Sequence, residues 1–344
     1  MIKEWNYIRV LACLSIVFLH SNTYTRIVVG RPDIGDIYDI IRILFCYATP
    51  TFILLSEIIL ANKYHQKIPK GFFTKRLKFI LIPYIIFGLI DAILTKQQYP
   101  YIDLLLRIKN NLLFGTFEGF FVLVIMQFYI LHFLITRFRI PAAVFVPFSF
   151  LIMIIHHSIV KLEPAFLSDV LARERILFSA WIGYFAIAYL IGRYYNTIKE
   201  QLSKYKISLF IGVLLSIAVV VLSFYLGERT VNSRRLDLIF LTTFVSLFLI
   251  SIHKWMPNLS IINTISNYSF GIYLIHWQVQ RFIAPIVVPY FGSTSLQVGV
   301  LFIVTLSLTM TIMKLISFIP YSQFIIGNVQ KRKYQQVSNE KKAA

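Results

Sequence analysis

The chain has 344 residues, of which 58% are hydrophobic and only 14% charged, with a formal net charge of +19. Soluble proteins carry roughly 25% charged residues, so this composition excludes an ordinary soluble domain and predicts an all-α, polytopic membrane protein. In a soluble chain such a charge would suggest nucleic acid; here its distribution along the sequence is explained better by membrane sidedness, and no nucleic-acid partner is expected.

The first apolar stretch, Trp5 to His20 (WNYIRVLACLSIVFLH), carries two ionisable groups where a lipid-facing helix should carry none. Arg9 and His20 are about three helical turns apart, within roughly 20° of one face and about 16 Å along the axis. An edge arginine can snorkel and an edge histidine can be interfacial, but intramembrane ionisable residues usually face a bundle interior or a cavity. Lys3 and Glu4 precede a full-length span, and Ser21-Asn22-Thr23-Tyr24 lacks a small-x-small cleavage site, so a retained first helix is expected.

Hydrophobic periodicity predicts ten spans, at about 5–23, 40–60, 79–95, 118–136, 140–157, 176–192, 206–226, 236–253, 266–288 and 296–318. Arg137, Arg139 and Pro141 predict a tight turn between the fourth and fifth. Alternate connections concentrate Lys63, Lys67, Lys70, Lys75, Arg76 and Lys78, then Arg137 and Arg139, then Arg193, Lys199, Lys204 and Lys206, then Lys254 and Lys331-Arg332-Lys333. The opposite connections mix signs, as in Arg26, Arg31, Asp33 and Asp36, or Glu163, Asp169, Arg173, Glu174 and Arg175. The positive-inside rule then places both termini in the cytoplasm. A transmembrane domain over 1–325 and a polar, disordered cytoplasmic tail over 326–344 are expected. Cys13 and Cys46 lie in apolar runs and read as packed hydrophobes, with neither a disulfide framework nor a zinc site.

Further polar residues sit where they are costly. Glu57 lies near the inner end of the second span, where it reaches the interface or lines the site, and Arg42 lies near the outer end, where it pairs with Asp39 or lines an acceptor site. Asp91 falls within the third span. Glu118 opens Glu-Gly-Phe-Phe-Val-Leu at an outer edge from which its carboxylate can orient His20. His276 lies in the ninth span, followed by Trp277, Gln278 and Arg281. His132 and the His156-His157 pair lack partners at metal-ligand spacing, and no metal is expected. Lys75, Arg76 and Lys78 open the third span, where they serve either as topogenic anchors or as phosphate ligands.

Arg9, ten residues, then His20 and Ser21 resembles the first-helix signature of the acyltransferase 3 family of integral membrane O-acyltransferases. Asn267 to His276 (NYSFGIYLIH) is similar to the family's late S-x-G-I-Y-L-x-H segment, Thr49 to Ser56 to its second helix, and the Glu118 stretch to its aromatic W-F-L segment. The chain departs from the family pattern at Ser56-Glu57, where many members have Ser-Gly, and at Lys75-Arg76-Leu77-Lys78, in place of Arg-x-x-Arg. Both departures resemble the intercellular-adhesin branch, whose members act on exported surface polysaccharide. The resemblance implies transfer of an acetyl or succinyl group from cytoplasmic acyl-CoA to a hydroxyl of a surface glycan or its lipid-linked precursor. Arg9 and His20 would be the functional pair, Arg76, Lys78 and Lys75 would hold the donor's phosphates, and His276 would line the site. As general base His20 suits near-neutral pH. The competing expectation is a polysaccharide exporter or flippase whose buried charges line a translocation path.

Overall fold

A computed structural model describes residues 2–30, 35–327 and 329, and every regular element among them is helical. Arg31 and Asp33, and the tail from residue 330 onward with Lys331-Arg332-Lys333, lie outside the described residues. The helices that matter here are α1 (Lys3–Val29), α2 (Asp36–Phe45), α3 (Ala48–Tyr64), α4 (Ile82–Gln98), α5 (Leu104–Phe114), α6 (Phe121–Phe138) and α7 (Ala142–Leu162). They are followed by α8 (Ile182–Arg193), α9 (Lys206–Tyr225), α10 (Leu238–Ser251), α11 (Ser260–Val287) and α12 (Thr294–Ser317).

Each expected apolar segment contains a helix, but the lengths differ from the expectation. Six helical segments among the described residues are long and apolar enough to cross a membrane: 36–64, 72–98, 104–138, 142–162, 206–225 and 294–317. Helices α1 and α11 have 27 and 28 residues, ample for a crossing, yet their polar side chains keep them out of that set. The span expected at 176–192 is shorter than anticipated, because 3₁₀ turns at Glu174–Ile176 and Phe178–Ala180 take up its start. What remains, the 12 residues of α8, rises about 18 Å. Helix α5 was not expected at all; its Arg107, Lys109, Asn110 and Asn111 break the apolar run.

The turn between α6 and α7 is as tight as its sequence indicates: Arg139 adopts a left-handed conformation (φ 52°), and Pro141 caps α7 in an extended one. Ahead of α4, the segment Leu77–Leu81 forms a single π turn that Ile82 N–H closes onto the Leu77 carbonyl. Pro83 follows it, and having no N–H to offer the preceding turn, it leaves that turn free to widen.

Helix α1 is the axis of the bundle, packed against α3, α10, α11 and α12. Helix α8 lies close on α3 at Gly192, where an added Cβ would fall 2.5 Å from the Ile58 carbonyl oxygen. Helices α7 and α9 are peripheral and turn Phe148, Leu151, Leu215 and Leu222 outward, as a lipid-facing surface requires. Cys13 and Cys46 are free thiols buried in apolar clusters. Ile326, placed in the tail by the sequence, is instead buried in the main apolar cluster.

Candidate active site

Helix α11 fixes the rotation of α1 through polar contacts at both ends. At one end Asn6 Nδ2 donates to Asn263 Oδ1 (2.8 Å), and Ser266 Oγ donates to Asn6 Oδ1 while accepting from Arg9 Nη1, both at 3.0 Å. At the other, Gln280 Nε2 donates to the Val17 carbonyl (2.9 Å) and to Ser21 Oγ (2.8 Å). Between apolar helices such interhelical hydrogen bonds supply the orientation that burial alone does not. Arg9 and His20 therefore both face α11, Arg9 through Ser266, and His20 through ring contacts to His276 (5.2 Å) and Trp277 (4.9 Å).

Around His20 the structure brings together two residues distant in sequence. Glu118, on a 3₁₀ turn leading into α6, places Oε2 3.6 Å from His20 Nε2. His276 is fully buried, and its Nδ1–H donates to the backbone carbonyls of Tyr273 (2.7 Å) and Ile272 (3.2 Å). That leaves the lone pair on Nε2, and neither this atom nor His20 Nδ1 has a hydrogen-bond partner within the protein. Two imidazole nitrogens and a carboxylate are thus held in a low-dielectric pocket with bonding capacity to spare.

His20 and Glu118 border a cavity of about 450 Å³ that is also lined by Arg42, Arg175, Arg234 and Trp277, while His276 packs against His20 outside that lining. Arg42 is braced by Asp39 (3.3 Å), which also pairs with Arg26 (2.6 Å). Arg234 is held by Glu174 (2.6 Å). Burial raises the Glu174 carboxyl, but the hydrogen bond to His156 and the charge of Arg234 outweigh it and keep its pKa below the ordinary value. Arg175 lies over the Phe120 ring and donates to the Gly115 carbonyl. Sequence reasoning gave Arg175 only a role in sidedness and passed over Arg234; both lie in mixed-charge connections, where nothing local marks one arginine as cavity-lining.

Arg9 lines a second cavity, of about 270 Å³, together with Ser56, Arg76, Tyr129, Ser269 and Tyr273. Here the Arg76 guanidinium packs on one side of the adjacent rings of Phe72 (4.8 Å) and Tyr129 (5.1 Å), carried by the helix that ends in the π turn. Lys75 is exposed and shares a shallow pocket with Arg76, whereas Lys78 is exposed and lines neither cavity.

Glu57 departs from its expected place. It neither reaches an interface nor lines a cavity: it is 2% exposed, and its Oε1 lies 2.7 Å from Nδ1 of the equally buried His132. One residue along α3, Ser56 faces the Arg9 cavity while Glu57 turns about 100° away toward α6. Asp91 is likewise structural, with Arg107, Asn111 and Gln278 all hydrogen-bonded to its carboxylate. Among the described residues no three His, Cys, Asp or Glu side chains converge as ligands of one metal ion.

The sequence was compared with known proteins. It is 31% identical over 293 residues to the Bacillus subtilis protein called "Putative membrane-bound acyltransferase YfiQ", covering 80% of each chain. It is 28% identical over 291 residues to a Staphylococcus aureus protein called "Probable poly-beta-1,6-N-acetyl-D-glucosamine export protein", covering 79% of this chain and 81% of that one. A Staphylococcus epidermidis protein of the same name is 25% identical over 298 residues, covering 79% of each. No solved structure matches. Residues 2–314, which include both cavities and all their lining side chains, match the acyltransferase 3 family (Acyltransferase domain), and the chain belongs to that family of membrane proteins.

Proposed function

We propose that this protein moves an acyl group from cytoplasmic acyl-CoA to a hydroxyl of a cell-surface polysaccharide or its lipid-linked precursor. The observation that carries this reading is the pair of cavities opening on one helix, a basic one at Arg9 and Arg76 and one at His20 and Glu118 about three turns away. The lysine- and arginine-rich connections support a cytoplasmic side for both termini and the Arg9 cavity. Arg9 and Arg76 then receive the donor's phosphates, Arg76 with its guanidinium already packed against two rings, and Lys75 adds charge at the mouth.

At the other cavity the acceptor hydroxyl sits beside His20. The Glu118 carboxylate, 3.6 Å from His20 Nε2, favours the proton on that nitrogen and leaves Nδ1 to take the hydroxyl proton. The oxygen attacks the thioester carbonyl, the new C–O bond forms and the C–S bond breaks. The departing thiolate recovers the proton as free CoA, so the reaction is balanced without a further reactant. His276, with its Nδ1–H committed to the backbone, presents Nε2 as a second acceptor beside His20.

The names of the staphylococcal relatives favour a second reading, polysaccharide export without acyl chemistry. Purified protein in liposomes, given acyl-labelled acyl-CoA and native glycan, separates the two. Label appearing on glycan with wild type and not with His20→Ala supports transfer; glycan translocation with no label on any product supports export.

A further inference from the structure

The two cavities do not join. Four elements supply both linings: on α3, Phe52 faces the Arg9 cavity and Thr49 the His20 cavity. At the start of α6, Phe121 faces the first and Phe120 the second. On α11, Tyr273 faces the first and Trp277, one turn on, the second, and α1 contributes Arg9 and His20. Adjacent or one-turn neighbours on opposite sides mean that the partition is about one side chain thick. It consists of three mutually packed rings: Tyr273 edge to face on Phe121 (4.4 Å) and on Phe52 (5.7 Å), with Phe52 tilted against Phe121 (6.0 Å). Tyr273 is its keystone, with its ring in the Arg9 cavity and 5.7 Å from that of His276.

We infer that Tyr273 is the specificity-determining residue of this acyltransferase: the acyl group must pass the space its ring occupies to reach His20, and the size of that opening admits short acyl groups and rejects long ones. The inference rests on the acyl-transfer reading above. Rotation of the Tyr273 side chain opens the partition without disturbing the site beyond it, since it is the Tyr273 backbone carbonyl, not the ring, that accepts from His276 Nδ1. Phe52 and Phe121 belong to the apolar core and frame the opening. A thioester carbonyl brought through it stays attached to a pantetheine arm whose phosphates remain in the Arg9 cavity.

The test measures kcat/KM for acetyl-, butyryl- and hexanoyl-CoA, each labelled in the acyl group. It uses membrane vesicles from producing cells, which supply the native acceptor, and protein shown to be folded by its elution as a single species in detergent. Wild type should favour acetyl, and Tyr273→Ala should raise the hexanoyl-to-acetyl ratio about tenfold or more, the scale on which pocket size discriminates methylenes. Tyr273→Phe keeps the ring and should leave the ratio near wild type. Phe52→Ala enlarges the same opening from the other side and should shift the ratio in the same direction, which keeps the inference testable if Tyr273→Ala does not fold. An unchanged ratio in a folded, active Tyr273→Ala or Phe52→Ala would overturn the inference, as would loss of all transfer in both folded variants. Wild-type vesicles that transfer no acyl group from any donor would instead overturn the acyl-transfer reading on which it stands.

Discussion

Asp91 and Glu118 are both carboxylates in the interior of the bundle, both approached by α11, and they are treated in opposite ways. Asp91, fully buried, accepts from Arg107 (2.9 Å), Asn111 (2.8 Å) and Gln278 (2.9 Å), with Arg281 a further 3.6 Å away. Glu118 has His20 at 3.6 Å, and the imidazoles beside it keep two nitrogens without protein partners. A charge whose lone pairs are all used is a joint, here tying α4, α5 and α11 together. A charge left with capacity is available to something that arrives. His276 and Gln278 are two positions apart on α11, so one helix serves both purposes on different faces.

The comparison breaks most visibly at the joint. Asp91→Ala leaves Arg107 and Arg281 without a buried counter-charge, and should cost about 3–5 kcal/mol, read as a large drop in the thermal midpoint in detergent with activity lost alongside it. His20→Ala should show the converse, a fall in acyl transfer of about 10²–10⁴-fold with the thermal midpoint nearly unmoved. A destabilised His20→Ala would place His20 with Asp91 among the structural residues. Glu118→Gln keeps the shape of the side chain and removes its charge, and should slow transfer about tenfold or more while leaving KM for acyl-CoA unchanged. Arg9→Lys should give the smallest effect: the charge and the reach to Ser266 survive but the planar fork is lost, raising KM for acyl-CoA with kcat largely retained.

What the sequence revealed follows the same division. Arg9, His20 and Glu118 were legible because an ionisable residue inside an apolar run is conspicuous by itself, and the shared face of the first two followed from helical spacing. Arg42 was read as pairing with Asp39 or lining an acceptor site; it pairs with Asp39 and lines the His20 cavity. Asp91 was conspicuous too, but its saturation was not, since Gln278 lies 187 residues away and no local pattern encodes such a pair. Glu57 was misplaced for the same reason, with its partner His132 75 residues downstream. Helix α5 escaped notice because the residues that satisfy Asp91 are the ones that erase its apolar signature. The short reach of α8 depended on where 3₁₀ turns replace α-helix, a distinction that periodicity averages away.

The π turn at Leu77–Leu81 carries a cost and a benefit that can be separated. A π turn is an α-helix holding one residue too many, so deleting one residue within 77–81 would regularise the backbone and, by local hydrogen bonding alone, stabilise it. Because the widened turn absorbs the extra residue, the same deletion would leave the residues before it on nearly the same face, with Arg76 and Phe72 still beside Tyr129. The surplus residue is in effect one more side chain fitted into an unchanged length of helix, where Ile80 walls the Arg9 cavity, and a shortened chain would be a better helix with a thinner wall.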